Sequence, residues 1–193
     1  MGTTKIFCGL VCLAVIGLCG VHYCGGVAVP DQVRNDGKGA RVFVVKTKKE
    51  NYENVIKIAR KEIGVREKGC QNCGARIRDY LNCVGIKSPA PYCAAWVSWC
   101  FAQAGYPQPR TAWSPALFPA ARVVKAPEPA IVFGIYFPKL KRIAHVGLVA
   151  RLQGDWIVAL EANTNVAGSR EGQGVYERLR HKRTIHRYAD WLK

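Results

Sequence analysis

Apolar residues follow two spacings along this chain. They stand three or four apart in the first half and in short runs or alternation in the second. From Asn51 to Ile63, Val55, Ala59 and Ile63 recur at every fourth position with Ile56 beside them; Lys57, Arg60 and Lys61 lie off that stripe and Gly64 ends it. The pattern predicts a surface helix with one face toward a core. Ala75 to Val84 predicts a second helix, with Ile77, Tyr80, Leu81 and Val84 at i, i+3, i+4 and i+7 and Gly85 closing it. Pro89 and Pro91 then hold the chain extended, and Cys93, Ala94, Val97, Phe101 and Ala104 return to helical spacing up to Gly105. Trp96 and Trp99 on this third helix read as core residues.

Beyond Gly105 the character changes. Tyr106 to Pro115 is rich in turn formers, and Ala116 to Ala121 predicts one short helical turn. Five apolar runs bounded by turn signals follow: Ile131–Phe137, Ile143–Ala150, Trp156–Leu160, Val175–Arg178 and Thr184–Tyr188. Helices first and strands after predict an α+β fold, with amino-terminal helices packed on a twisted antiparallel β-sheet. Residues 30–50, which carry Asn35-Asp36-Gly37 and a KTKK run around a short apolar patch, read as a linker with a brief strand. Residues 51–193 read as the folded domain.

The third helix starts on a cysteine. Unpaired N–H groups and the helix dipole favour negative charge there, so the Cys93 thiol is expected below its free pKa of roughly 8.5. Such a nucleophile needs a base. His145, the only histidine between Cys93 and the tail, lies in the strand Arg142-Ile143-Ala144-His145-Val146-Gly147-Leu148-Val149, and the next strand ends in Glu161-Ala162-Asn163. A thiol amidase or peptidase needs a nucleophile, a base, a group that orients the imidazole, and oxyanion donors. Cys93, His145 and Glu161 fill the first three roles. Asn163 is a second polar contributor, and the Cys93 backbone N–H is a natural oxyanion donor. His145, Gly147 and Val149 share a strand face, where Gly147 leaves room for a helix end or for substrate. Read singly, each residue has a plain structural role: a small core cysteine, a packed histidine, a solvated glutamate. Their joint occurrence in this order favours catalysis.

Composition changes the picture in two ways. The 193 residues carry 29 Lys and Arg against 13 Asp and Glu, a formal net charge of +16. Only Lys5 of that charge lies in the first 29 residues, so the basicity belongs to the folded part. Nucleic acid, an anionic lipid surface or an anionic polymer such as a bacterial cell wall would each attract it. No zinc finger of proper spacing, aromatic RNA-recognition motif or concentrated basic tail is present, which argues against nucleic acid. Residues 1–29 are the second change. Lys5, an apolar run from Ile6 to Gly20, and Gly26 and Ala28 before Val29 read as a signal peptide, with an uncleaved membrane anchor as the alternative. Export follows, to the periplasm, the cell envelope or the medium, with membrane contact only through this segment if it is uncleaved. Five cysteines lie beyond it: Cys70, Cys73, Cys83, Cys93 and Cys100. Export permits disulfides among the first three; reduced thiols and a metal site are the other readings, and no fourth ligand of zinc spacing appears.

The order Cys93, His145, Glu161, Asn163, with gaps of 52, 16 and 2 positions, resembles the CHAP family, the cysteine- and histidine-dependent amidohydrolases/peptidases of bacterial and phage wall lysis. YCAAWVSWCFAQAGY around the nucleophile, AHVGLVA around the histidine and ALEANTN at the end carry the resemblance, which covers about Asn51 to Arg187. It implies a papain-like fold and hydrolysis of peptidoglycan amide bonds, as an N-acetylmuramoyl-L-alanine amidase or an endopeptidase. It implies no cofactor and no metal, peptidoglycan as the partner, no nucleic acid, and a monomer. The family commonly has a polar residue just before the nucleophile, and this chain has Tyr92. Tyr92 and Trp113, the latter in the proline-rich turn after the helix, are the substrate-binding candidates. NlpC-type wall peptidases share the Cys-then-His order but often carry a second histidine where this chain has Glu161. A catalytically silent basic wall-binding module is the non-enzymatic alternative.

Overall fold

In the computed structural model, residues 47–193 are described throughout, together with the backbone of a short antiparallel pair, β1 (Arg34–Asn35) and β2 (Arg41–Val42). The expected signal peptide or anchor lies outside the described residues. Helix α1 spans Lys48–Lys61 and starts three residues before Asn51, where the apolar pattern predicts it. Thr47 starts it with a capping box: its hydroxyl accepts from the Glu50 backbone amide, and the Glu50 carboxylate accepts from the Thr47 amide. Residues 48–50 of the expected linker therefore belong to α1. A polar cap carries no periodicity, so the apolar stripe alone places the helix start late. At the other end Glu62 is the C-cap, and Ile63 leaves the stripe and is exposed.

Helices α2 (Ala75–Cys83) and α3 (Cys93–Gln103) follow the predicted spacing, and Gly105 takes the left-handed φ of +91° just past α3. Every residue of α3 from Cys93 to Phe101 is buried, which makes it the central helix of the domain. Short 3-10 turns at Ser114–Leu117 and Ala120–Arg122 replace the single predicted turn. The strands are β3 (Val123–Val124), β4 (Val132–Phe137), β5 (Arg142–Gln153), β6 (Trp156–Thr164), β7 (Gly174–His181) and β8 (Arg187–Ala189). They form one antiparallel sheet in the order β3-β8-β4-β5-β6-β7. The fold is α+β. Val132, Val146, Leu148, Ala150, Val158, Leu160 and Ala162 join the helices in the main core, while Ile131, Phe133, Val149, Ile157 and Ala159 form a smaller cluster. Period-2 alternation along β4, β5 and β6 divides the two sets.

An ion pair between the nearly buried Glu62 and the half-exposed Arg76 fixes the helices to one another. Glu62 accepts from Arg76 Nε at 2.7 Å, from Arg76 Nη2 at 2.7 Å and from the Tyr80 hydroxyl at 2.5 Å. The Arg76 guanidinium also lies 4.4 Å from the centroid of Trp99 on α3. One carboxylate thus binds the end of α1 to α2 and, through Arg76, to α3. Arg76→Ala would leave the nearly buried Glu62 with only the tyrosine as partner. Its unfolding free energy in urea is expected to fall by roughly 1–3 kcal/mol; an unchanged midpoint and slope would contradict this role.

Candidate active site

Cys93 is the first residue of α3, with Tyr92 as the N-cap. Its side chain meets the start of β5 and the Ser114 hydroxyl, whose Oγ lies 3.6 Å from Sγ. Cys93 keeps 4% of its surface open, whereas Cys100 on the same helix face has none. The two thiols also differ in chemistry. Burial pushes the Cys100 thiol well above its ordinary value. Burial acts on Cys93 in the same direction, but the His145 imidazole, the Ser114 hydroxyl and the Val146 amide together outweigh it and hold the thiol below its ordinary value. Cys93 and Cys100 are the free thiols among the described residues, and Cys70 closes a disulfide with Cys73.

A β-bulge places the base. Ile135 pairs with His145 while Tyr136 pairs with Ile143, so Ala144 is an extra residue on β5, and the bulge changes where the following side chain is directed. His145 Nε2 lies 2.7 Å from Glu161 Oε2, with both side chains buried. Nδ1 is buried without a hydrogen bond of ordinary geometry, and it is the ring nitrogen left for the Cys93 thiol. Burial alone would lower the imidazole, but its interactions with Cys93 and then Glu161 push it up to about 9. Glu161 moves the opposite way: burial would raise it, while Arg180 and His145 hold it down at about 2. The linkage signs agree. Glu161 contributes stability above its ordinary carboxylate range and loses it as pH falls toward 2; His145 contributes below its ordinary value and loses it as pH rises through about 9. Neutral pH lies inside both windows.

Two features of this chain of contacts were not anticipated from the sequence. Arg180 on β7 donates to Glu161 through Nε at 2.8 Å to Oε1 and through Nη2 at 2.6 Å to Oε2. Ser114 stands beside the thiol. The only sequence signal for Arg180 is indirect, since a buried carboxylate demands a counter-charge and β7 presents Arg178 and Arg180 two positions apart. A serine in a turn-rich stretch gives no signal of its own. Gly147 has a different task from the one its strand suggested. A Cβ there would stand 2.7 Å from Leu160 O, 2.7 Å from the Phe133 ring and 2.8 Å from Glu161 Cγ. The bare backbone at 147 thus admits the carboxylate crossing from β6, rather than a helix end or substrate.

The remaining candidates are divided. Trp113 is 53% exposed, immediately precedes Ser114 and stacks under the Arg142 guanidinium at 4.3 Å, so it stands on the solvent side of the nucleophile. Tyr92 is fully buried and packs against Tyr80. Its hydroxyl, rather than its ring, is what it can offer: that group lies near the Glu67 carboxylate and the Asn163 backbone amide. Asn163 is buried in the left-handed region at φ 56°, and no hydrogen bond joins its side chain to His145.

The lowered thiol and the raised imidazole both shift the proton from Cys93 toward His145, favouring a thiolate-imidazolium pair. Iodoacetamide is therefore expected to alkylate Cys93 at pH values below the ordinary thiol range while Cys100 stays unmodified. His145→Ala should move that alkylation profile to higher pH, as read by peptide mass spectrometry. Equal labelling of the two cysteines, or an unmoved profile in the variant, would contradict the pairing. Compared with family models, with curated proteins and with solved structures, the chain matches none.

Proposed function

We propose that this protein is a papain-like cysteine amidohydrolase of the CHAP kind that cleaves peptide amide bonds of peptidoglycan. The observation that carries the reading is the contact chain Cys93, His145, Glu161, Arg180, in which a buried carboxylate orients an imidazole against a helix-start thiol. A core histidine with no chemical task has no need of an ionised carboxylate on one ring nitrogen and a thiol on the other. Glu161, in place of the second histidine often found in NlpC-type peptidases, favours the CHAP form.

The chemistry follows from the protonation states. Cys93 Sγ attacks the scissile carbonyl carbon, forming a C–S bond and an oxyanion. The Cys93 backbone N–H and the Ser114 hydroxyl are the nearest donors available to that oxygen. As the C–N bond breaks, the imidazolium gives its Nδ1 proton to the departing amine, leaving a thioester. Neutral His145 then takes a proton from water, whose oxygen attacks the thioester, and Sγ leaves as thiolate. Glu161, held ionised by Arg180, stabilises the imidazolium and fixes the ring so that Nδ1 points at the reacting atoms. Trp113, stacked against Arg142 next to Ser114, offers substrate an exposed aromatic face.

The charge of +16 supports an anionic wall as the partner and export as the setting, with attraction that weakens as salt rises. Cys93→Ala and His145→Ala are each expected to abolish release of soluble fragments from purified peptidoglycan while circular dichroism and unfolding midpoint stay near those of the parent. Full activity in either variant would refute the mechanism. Retained wall binding with no product from the parent protein would instead support a silent binding module.

A further inference from the structure

Trp113 and Arg142 come from remote parts of the chain and meet beside the nucleophile. Trp113 immediately precedes Ser114, whose Oγ lies 3.6 Å from Cys93 Sγ, and Arg142 opens β5 three residues before His145. The Arg142 guanidinium lies 4.3 Å from the centroid of the Trp113 ring, and its Nη1 donates to the Ile143 carbonyl at 3.2 Å. Two such contacts restrain a side chain that would otherwise sample many rotamers. Nε and Nη2 make no hydrogen bond or ion pair among the described residues. A planar fork of donors, held in place and left open, is the form in which arginine binds a carboxylate through two hydrogen bonds.

Open arginines are expected on a chain of net charge +16, so the neighbourhood decides what this one can do. From Cys93 to Gln153 the sequence contains one carboxylate, Glu128, and that is paired with Lys48 at 3.3 Å. The turn that leads into β5 adds exposed Lys139 and Lys141 on either side of Leu140. An anion arriving beside Trp113 therefore meets no resident competitor from this stretch. Arg180 differs in this respect, since Glu161 already occupies its Nε and Nη2. Roughly 10 Å of strand separates Arg142 from His145, at about 3.3 Å per residue. An extended peptide lying across Cys93 covers that distance in about three residues.

We infer that Arg142, held on the Trp113 ring, binds a carboxylate of the substrate peptide within about three residues of the bond that Cys93 attacks. The inference rests on the proposed hydrolase reading and gives it a specificity. Peptides joined through side-chain carboxyl or amino groups keep free α-carboxylates beside their amide bonds, and conversion of those groups to carboxamides removes the charge. Arg142 is thus a specificity-determining residue that selects wall peptides whose α-carboxylates are uncapped. Walls of both kinds release soluble fragments, the amidated kind more slowly.

Calorimetric titration of the Cys93→Ala protein tests this without turnover, using a stem peptide with free α-carboxylates and the same peptide with those groups amidated. The free form is expected to bind about tenfold tighter or more, as for one bidentate charge-assisted pair. A basic protein attracts the more anionic peptide anywhere on its surface, so two variants of equal charge localise the effect. Arg142→Gln should erase the preference, whereas Arg151→Gln, at the exposed far end of the same strand, should leave it intact. Trp113→Leu removes the ring under the guanidinium and should cut the preference about threefold or more with no change of charge. Equal affinities for the two peptides, a preference that the two arginine variants lower alike, or one untouched by Trp113→Leu would overturn the inference. Equal cleavage of free and amidated peptidoglycan by the parent protein would sink the carboxylate site and keep the hydrolase; an Arg142-dependent preference with no cleavage of any wall peptide would do the reverse.

Discussion

A carboxylate without solvent contact stays ionised only if the protein replaces its water, and Glu161 is the place where this fold meets that demand. Removing such a group from water costs several kcal/mol per ion before partners are counted. Arg180 supplies two hydrogen bonds and a full positive charge, and His145 supplies a third contact. The consequence runs along the chain of contacts: an ionised Glu161 favours a protonated His145, and a protonated His145 favours a thiolate at Cys93. Taken in that order, the low Glu161, the high His145 and the lowered Cys93 are one electrostatic fact seen at three residues.

The scaffold is arranged to hold that contact chain still. Helix α3 is buried all round, so its first residue cannot drift, and the Glu62–Arg76–Tyr80 cluster fixes the flanking helices against it. On the sheet side the bulge at Ala144 sets the direction of His145, and Gly147 lets Glu161 cross from the neighbouring strand. A change at either backbone feature would disturb the imidazole without touching a reacting atom.

Much of this was legible in the chain. Apolar spacing located all three helices and the four longer strands, because burial of a helix stripe or a strand face leaves a period in the sequence. Boundaries were less legible where polar groups decide them: Thr47 and Glu50 start α1 earlier than Val55 and Ile56 suggest. Cys93, His145 and Glu161 could be picked out because each stands at a distinctive point of an element, and the structure brings them together. Arg180 could not, since one arginine among many on a basic chain carries no mark of which carboxylate it will meet. Ser114 sits in an aperiodic turn, and Asn163 was grouped with the imidazole by sequence proximity, whereas no hydrogen bond joins its side chain to His145. The register shift in β6 between Glu161 and Thr164 falls around Asn163, and alternation cannot foresee a bulge.

The central claim is that His145 is an imidazolium at neutral pH because a buried carboxylate and a thiol share it. Nuclear magnetic resonance titration of the His145 ring nitrogens in the intact protein measures this directly. The account expects a charged ring through neutrality that loses its proton near pH 9. A ring that is already neutral at pH 7, titrating at or below the ordinary histidine value of about 6.5, would contradict it.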